Sequence, residues 1–402
     1  MDESVKFAAI KAREEQLLCR SYSRYPLAIV RGEMSHLYDI DGKEYVDLLG
    51  GIAVAALGHC NPELCTVLTE QAKKLWHVSN LFYQEEQLDL AEILLSTNHH
   101  DKVFFCNSGA EANEAAIKLA RRYMRKVKQR DAYEIITLSG CFHGRTLGTL
   151  AATGRATLSD GFEPLPAGFA QVECCNLEAL KAAISPKTAA VMLEVVQGEG
   201  GVIPLPADYL HAVEELCHAK DILFICDEVQ AGFCRTGTFW AFQQHGLKPD
   251  IMSTAKALAS GIAMGCMMTT NKVAAGFEAG SHATTFGGGA LASKVAAKSV
   301  EIMLRDKLAD RASQVGARLR ERVNGILAKY PTKVKEIRGV GLMVGIELTA
   351  DCPKVWRELI NRGFITSLSH NTTLRLLPPL NIGEDDLEKF CQTLEDILAQ
   401  GN

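Results

Sequence analysis

Six short apolar runs, with helical stretches between them, recur from about residue 103 to residue 270 of this 402-residue chain. A run without alternating polar residues indicates a strand that is buried on both faces. Buried strands that alternate with helices are typical of a mainly parallel sheet covered by helices. The predicted strands are 103–106, 134–138, 189–194, 222–226, 250–254 and 264–268. The sequence therefore predicts an α/β fold.

The two ends of the chain predict a second, smaller α+β region. Its expected elements are an amphipathic helix in 1–20, a hairpin in 28–47 with a turn at Asp41-Gly42, one long helical stretch from about 292 to 329, strands at 334–337, 341–348 and 373–377, and a closing helix at 384–400. We therefore expect a large domain at 46–295 and a small domain built from 1–45 and 296–402.

Composition narrows the classes of partner. The net charge is −5 without a basic block, which disfavours nucleic acid. No uncharged apolar run is long enough to cross a membrane. The thirteen cysteines include no C-x-x-C pair, which indicates reduced thiols in the cytoplasm and no metal site.

Two charged residues follow two of the predicted strands. Asp227 comes directly after the run 222–226, and Lys256 follows the run 250–254. Open α/β sheets bind ligands at the carboxyl ends of their strands. A lysine there can hold pyridoxal 5'-phosphate as a Schiff base, and an acid can keep the pyridine nitrogen protonated so that the ring takes up electrons. The alternative is that both are solvated loop residues, as most charged residues are.

The strand at 103–106 leads into a predicted helix start. Ser108 followed by Glu111 matches a capping box, so Ser108 is expected to cap that helix. A helix start after a strand can bind an anion, and Gly109 carries no side chain to block its approach. A plain helix cap is the alternative, but beside a Schiff-base lysine we favour a phosphate site. No P-loop lysine follows, which disfavours a nucleoside triphosphate.

Three further residues are placed to contact the cofactor ring. Phe142, after the strand 134–138, is expected to stack on one ring face, and Val229 to press on the other. Gln230 is expected to hydrogen-bond the ring hydroxyl oxygen.

Arg145 and Arg375 are the candidate residues for binding substrate carboxylates. Arg375 is an isolated charge within an apolar segment, and a guanidinium there needs a partner. That partner is either a substrate carboxylate or an internal acid, for which Glu199 is the candidate.

These segments together resemble the class III (subgroup II) pyridoxal phosphate-dependent aminotransferases, most closely the acetylornithine aminotransferases. The matching stretches are 50–62, 76–83, 104–121, 141–154, 193–202, 223–237, 249–258, 284–292, 339–348 and 374–380. The 29-residue step from Asp227 to Lys256 also matches.

The resemblance implies the fold type I architecture of the pyridoxal phosphate-dependent transferases, with a seven-stranded-type sheet and a homodimer whose subunits share their active sites. It makes Lys256 the Schiff-base lysine and Asp227 the partner of the pyridine nitrogen. Ser108, Gly109 and Ala110 would hold the phosphate, and Thr285 would reach it from the other subunit.

On the substrate side, the resemblance implies that Arg145 binds the α-carboxylate of the amino donor and Arg375 that of glutamate. Glu199 would neutralise Arg375 in one half-reaction and release it in the other. The substrate-binding set also includes Tyr22, Ile52 and Thr284.

The implied reaction moves the terminal amino group of N2-acetylornithine to 2-oxoglutarate, giving N-acetylglutamate 5-semialdehyde and glutamate. Ile52 stands where ornithine δ-aminotransferases have a tyrosine that contacts the free α-amino group, so it favours an acylated amine. Succinylornithine, N-succinyl-diaminopimelate, ornithine and 4-aminobutyrate stay open as donors. An aminomutase is the alternative from another class. Two departures from the family pattern, at 258–263 and at Gly289, bear on the fit of the substrate.

Overall fold

The computed structural model of the chain describes residues 4–153, 155–349 and 351–400. Residues 1–3 of the predicted first helix, Gly154 at the end of the 141–154 motif, and residues 401–402 of the predicted small domain lie outside them. Among the described residues, no helix has the length and apolar character required to cross a membrane.

The N-terminal segment forms one helix and a three-stranded antiparallel meander. Its elements are α1 (Val5–Leu17), β1 (Ile29–Glu33), β2 (His36–Asp39) and β3 (Glu44–Asp47). The predicted turn joins β2 to β3, where Asp39 Oδ1 accepts the N–H groups of Asp41 and Lys43 and Gly42 adopts φ +85°. Helix α1 is present as predicted but buries none of its residues.

The middle of the chain supplies the central sheet and the helices that cover it. Its elements are α2 (Gly50–Ala53), α3 (Pro62–Ala72), α4 (Glu85–Leu95), β4 (Lys102–Cys106), α5 (Gly109–Lys126), β5 (Glu134–Leu138), α6 (Leu147–Ala152), β6 (Phe169–Val172), α7 (Leu177–Ala183), β7 (Thr188–Leu193), β8 (Val196–Gln197), β9 (Ile203–Pro204), α8 (Ala207–Ala219), β10 (Leu223–Asp227), β11 (Ile251–Thr254), β12 (Gly265–Thr269) and α9 (Asn271–Ala274). Short 3₁₀ helices lie at Ala156–Leu158, Ala241–His245 and Lys256–Ala259.

The central sheet has seven strands in the order β4-β12-β11-β10-β7-β5-β6. Strand β12 is antiparallel to both of its neighbours, and the other pairings are parallel. Every residue of β7, β10, β11 and β12 is buried, so both faces of the sheet are covered. The mainly parallel sheet is thus confirmed, and all six predicted runs lie in it. The carboxyl ends of β4, β5, β7, β10 and β11 consequently meet at one edge.

The C-terminal part forms a second sheet with flanking helices. Its elements are α10 (Ala290–Arg305), α11 (Leu308–Lys329), β13 (Val334–Val340), β14 (Met343–Leu348), α12 (Cys352–Asn361), β15 (Phe364–Ile365), β16 (Ser367–Ser369), β17 (Thr373–Leu376) and α13 (Glu384–Gln400). Strands β13-β14-β17-β16 form an antiparallel sheet, while β15 pairs in parallel with β3 and so joins the two ends of the chain. Since β3 and α10 run across the boundaries expected at 45/46 and 295/296, those exact boundaries stay a prediction.

Candidate active site

A cavity of about 430 Å³ opens at the carboxyl edge of the central sheet, a size typical of small-molecule sites. Strands β4, β5, β10 and β11 each lead into a segment that lines it. The predicted residues on its wall are Ser108, Gly109, Ala110, Phe142, Arg145, Asp227, Val229, Gln230 and Lys256. The fold therefore brings the predicted cofactor-binding residues together, apart from Thr285.

Asp227, at the end of β10, is 3% exposed and held by three donors. Asn113 Nδ2 and His143 Nδ1 each donate to its Oδ2 at 2.7 Å, and the Val229 N–H donates to its Oδ1 at 2.9 Å. Burial lowers the pKa of His143, but the nearby Cys141 thiol and the Asp227 carboxylate outweigh burial and raise this pKa well above its usual value. These three contacts hold the carboxylate in a fixed position on the cavity wall.

Lys256 lies just beyond the end of β11. Because β11 runs beside β10 in parallel register, Lys256 and Asp227 lie at the same edge of the sheet. Its backbone adopts φ +42°, a left-handed conformation that is unfavourable for a residue with a side chain. Burial lowers the pKa of Lys256 to about 8, although Glu199 opposes the shift. A substantial fraction of this amine is therefore neutral and nucleophilic near physiological pH.

The start of α5 forms the predicted anion site. Ser108 Oγ accepts the Glu111 N–H at 3.2 Å, as a capping residue does. The second half of the predicted capping box differs, because the Glu111 carboxylate accepts the N–H of Asn107, at 2.6 Å, instead of that of Ser108. Gly109 is required for a reason that was not predicted: a Cβ there would lie 2.6 Å from Val229 Cγ1. This close approach places the first N–H groups of α5 against the wall that Asp227 and Val229 form.

Glu194 is a site residue that the sequence reasoning missed. It follows β7 directly, is 4% exposed and lines the cavity. Its carboxylate accepts the Phe142 N–H at 3.1 Å and the Gly198 N–H at 3.4 Å. Burial raises the pKa of Glu194 to about 7. It thus joins the loop that carries Phe142 to the loop that carries Glu199.

The residues predicted to contact the cofactor ring come from two different loops that line the same cavity. Phe142 comes from the loop after β5, and Val229 and Gln230 from the loop after β10. The Arg145 guanidinium is exposed and lies 5.7 Å from the centre of the Phe142 ring, so it stands at the mouth of the cavity.

Arg375 and Glu199 form the internal ion pair that was one of the two expectations. Arg375 Nη1 lies 2.5 Å from Glu199 Oε1, and Arg375 is 3% exposed. Gln230 Nε2 donates to the same carboxylate oxygen at 3.3 Å. Burial raises the pKa of Glu199, but the Arg375 charge and hydrogen bond outweigh burial, and the pKa is lowered overall. The pair lies beside Gln230, directly next to the cavity.

Four predicted residues lie away from the cavity wall. Tyr22 is 75% exposed, and Ile52 is 40% exposed while its neighbour Val54 lines the cavity. Thr284 and Thr285 line a different groove, and Thr284 Oγ1 accepts a hydrogen bond from Asn107 Nδ2 at 3.0 Å. Within one chain, Thr284 thus contacts a residue of the cavity wall, whereas Tyr22, Ile52 and Thr285 do not line the cavity.

The chemistry of the wall fits pyridoxal 5'-phosphate. The cavity offers an amine for the aldehyde, a buried carboxylate for the pyridine nitrogen, a helix start for the phosphate, and Phe142 and Val229 for the ring faces. Among the described residues, no group of three His, Cys, Asp or Glu side chains is arranged to hold a metal ion.

Comparison with known proteins agrees with this geometry. A family model described as aminotransferase class-III matches residues 18–398. An acetylornithine aminotransferase of Methanocaldococcus jannaschii is 42% identical over 387 residues, covering 96% of this chain and 97% of that protein. A Pseudomonas aeruginosa protein named succinylornithine transaminase/acetylornithine aminotransferase is 40% identical over 394 residues, covering 97% of each. The crystal structure of an ornithine aminotransferase from Toxoplasma gondii matches with a TM-score of 0.94 and 30% identity, covering 98% of this chain and 95% of that one.

Proposed function

The chain belongs to the class-III aminotransferases, which use pyridoxal 5'-phosphate, and on that premise we propose that it transfers the terminal amino group of N2-acetylornithine to 2-oxoglutarate. The products are N-acetylglutamate 5-semialdehyde and glutamate, which places the enzyme in arginine biosynthesis. The observation that carries the proposal is the convergence of Lys256 and Asp227 on one cavity, in a chain about 40% identical to acetylornithine aminotransferases along nearly its whole length.

Pyridoxal 5'-phosphate, when bound, supplies an aldehyde that reacts with amines and a ring that delocalises negative charge. Lys256 Nζ would be the amine that tethers it. Because the pKa of Lys256 is lowered to about 8, this amine can take up and return a proton during catalysis. Asp227, oriented by Asn113 and His143, would accept a hydrogen bond from the protonated ring nitrogen and so favour its charged form.

Substrate selection rests on the Arg375–Glu199 pair. N2-acetylornithine carries no carboxylate on its reacting carbon, whereas glutamate does. With Glu199 paired to Arg375, the guanidinium is neutralised and tolerates the first donor. When glutamate binds, Glu199 moves away and Arg375 takes the α-carboxylate through its planar fork. Arg145, at the cavity mouth, binds the α-carboxylate of the acylated donor.

A second copy of the chain completes the site in this proposal. The segment that bears Thr285 lies beside residues 76–83, because Asn80 Nδ2 donates to the Thr284 and Gly287 carbonyls. The exposed apolar side chains of these two segments, called the apolar cluster, are Trp76, Leu81, Phe82, Tyr83 and Phe286. Large exposed apolar clusters mark interaction surfaces. We assign this surface to a homodimer in which Thr285 contacts the phosphate of the opposite subunit. The cysteines of the described residues form no disulfide bond, which supports a cytoplasmic location.

The named relative with a double activity makes succinylornithine the second candidate donor. Both donors carry an acylated α-amino group, so they differ only in the acyl end. We infer that Ile52, together with Val54 of the cavity wall, would present apolar surface to the acyl end, which suits the smaller acetyl group.

The test is a panel of amines supplied with 2-oxoglutarate and the cofactor-loaded protein. N2-acetylornithine is expected to give the highest kcat/KM among N2-acetylornithine, succinylornithine, N-succinyl-diaminopimelate, ornithine and 4-aminobutyrate, with one glutamate formed per amine consumed. A preference for free ornithine would overturn the choice of donor. Amine isomerisation without glutamate would identify an aminomutase instead.

A further inference from the structure

Two adjacent cysteines stand at the edge of the sheet where the active-site loops begin. Cys174 and Cys175 follow β6, and their Sγ atoms lie 3.6 Å apart. Cys175 is exposed with a left-handed backbone at φ +62°, whereas Cys174 is half-buried. The proposed transamination uses neither thiol.

The backbone of this pair is joined to the loop that carries two active-site residues. The Cys174 N–H donates to Ser139 Oγ at 3.0 Å. Ser139 begins the loop after β5, and Phe142 and His143 follow three and four residues later. The same residue also accepts a hydrogen bond from Gln197 Nε2 through its carbonyl, at 3.1 Å. Ser139 is therefore the contact through which a movement at Cys174 reaches the ring-contacting loop.

We propose that Cys174 and Cys175 form a reversible oxidation site, closed by thiol–disulfide exchange with a low-molecular-weight disulfide, and that its closure shifts the loop bearing Phe142 and His143. The exposed Cys175 thiolate attacks one sulfur of the small disulfide, which forms a mixed disulfide and releases one small thiol. Cys174 then gives up its proton and attacks Cys175 Sγ, releasing the second small thiol. Two protein thiols are oxidised, and one small disulfide is reduced to two thiols.

The short distance between the two residues makes a Cys174–Cys175 disulfide easy to reduce and makes it displace the backbone around it. Neighbouring Cα atoms stand about 3.8 Å apart, below the range of about 4.4–6.8 Å that is usual for disulfides. A closed pair is strained, so it is easily reduced and pulls on its own backbone. Burial, with the Cys175 thiol beside it, raises the pKa of Cys174 to about 12, which leaves Cys175 as the attacking thiol.

Closure is tested by treating the full-length, cofactor-loaded protein with oxidised glutathione and analysing the peptide spanning 173–176 by mass spectrometry. With oxidised glutathione in excess and the released reduced glutathione removed by dialysis, the wild type is expected to lose two hydrogen atoms at this pair and to retain no glutathione there. Cys174→Ser is expected to keep glutathione on Cys175, and Cys175→Ser to take up none at this pair. The matched control is Cys60→Ser, which removes another exposed cysteine and should close like the wild type. Stable glutathione on Cys175 of the wild type would overturn the proposal.

Coupling is tested by comparing the oxidised and reduced forms of each variant. Oxidation of the wild type is expected to shift the visible band of the bound cofactor and to lower kcat/KM about fivefold or more, and dithiothreitol should reverse both. Ser139→Ala should still close, but its oxidised and reduced forms should differ less. Closure of the wild type with an unchanged band and unchanged kinetics would contradict the coupling. Since closure is measured by mass, it is judged independently of whether the chain transaminates any amine.

Discussion

The inner wall of the cavity and its rim differ in how far one chain completes them. On the inner wall, Asp227 is 3% exposed and held by three donors. The predicted rim residues lie outside this wall: Tyr22 is 75% exposed, and Thr285 is exposed in a separate groove. The wall is built from residues at the ends of buried parallel strands, so its geometry is fixed by the core. The rim lies on surface loops beside an apolar cluster, so its geometry depends on what packs against it. The residues predicted to tether the cofactor and face its ring nitrogen thus lie on one cavity wall of a single chain, whereas in the proposed homodimer the opposite subunit would complete the phosphate contact and the substrate contacts.

Lys256→Ala is expected to give the largest effect, because it removes the tethering amine and the proton carrier together. We expect kcat/KM to fall at least about 10³-fold. Lys126→Ala, which changes an exposed lysine on α5, is the matched control and should retain activity. A kcat/KM for Lys256→Ala within tenfold of that of the wild type would show that the Lys256 amine is not needed for catalysis.

Asp227→Asn tests the charge at the base of the wall. Asparagine keeps the shape but removes the carboxylate that opposes the ring nitrogen, so we expect a fall of about 10²-fold or more in kcat. Asp208→Asn, at an exposed position, serves as the control for the same chemical change. A kcat for Asp227→Asn close to that of the wild type would show that the ring nitrogen needs no acid in this enzyme.

Glu199→Ala tests the region between wall and rim. It leaves the Arg375 guanidinium unpaired, so glutamate should compete better in the half-reaction that normally takes the acylated donor, by about tenfold. Glu199→Gln, which keeps the size, should shift the preference in the same direction. The measurement is the rate at which each amine converts the bound cofactor in single turnover. If the ratio of the rate with glutamate to the rate with N2-acetylornithine is the same in the variant and the wild type, Glu199 does not act as a switch.

Thr285→Ala is expected to weaken cofactor binding about fivefold, because one hydrogen bond to the phosphate is lost. The sharper experiment mixes Thr285→Ala with Lys256→Ala subunits. If Thr285 acts across the interface, each mixed dimer has one site with both changes and one wild-type site, so activity and tight cofactor binding are recovered. If mixing restores no site with wild-type affinity, Thr285 acts within its own chain and the rim needs no partner.

Substitution of Glu228, the neighbour of Asp227, is expected to have the smallest effect on activity. Its carboxylate faces away from the cavity and accepts the Ala241 and Phe242 N–H groups, each at 2.9 Å. Burial raises its pKa to about 7. The folded state therefore binds a proton at Glu228 more tightly than the unfolded state does. The stability that this protonation adds to the folded state is fully present below about pH 4.5 and is lost as the pH rises through 7.

Denaturant titrations of Glu228→Gln test this directly. The glutamine side chain accepts only one of the two N–H groups well, so at pH 5 the variant should be less stable by about 1–3 kcal/mol. The difference should shrink as the pH rises past 7, while kcat stays near that of the wild type. A constant difference across this range would show that Glu228 does not titrate there.

Most residues of the inner wall could be predicted from the sequence, because they directly follow unbroken apolar runs that indicate buried strands. Strand β10 is an unbroken apolar run with an acid at its end, so its burial and its position at the ligand-binding edge follow from the sequence alone. Strand β6 was missed because it is a four-residue edge strand with Gln171 inside it. The antiparallel direction of β12 was also missed, since the sequence of a strand buried on both faces does not indicate whether it runs parallel or antiparallel to its neighbours.

The partners of Asp227 were missed because they come from separate parts of the chain. Asn113 lies in the first turns of α5 and His143 in a loop, and only the folded sheet brings them to the same carboxylate. Glu194 carried a signal, since it is an acid at the end of a predicted strand, as Asp227 is. The roles of Thr284, Thr285, Tyr22 and Ile52 stay predictions, because surface positions acquire their neighbours from assembly.

The most direct test of the central claim is to reduce the cofactor-loaded protein with borohydride and map the labelled peptide by mass spectrometry. The account predicts a single cofactor label on Lys256, and its loss in Lys256→Ala. A label on another lysine, or a protein that takes up no cofactor when pyridoxal 5'-phosphate is supplied, would contradict it.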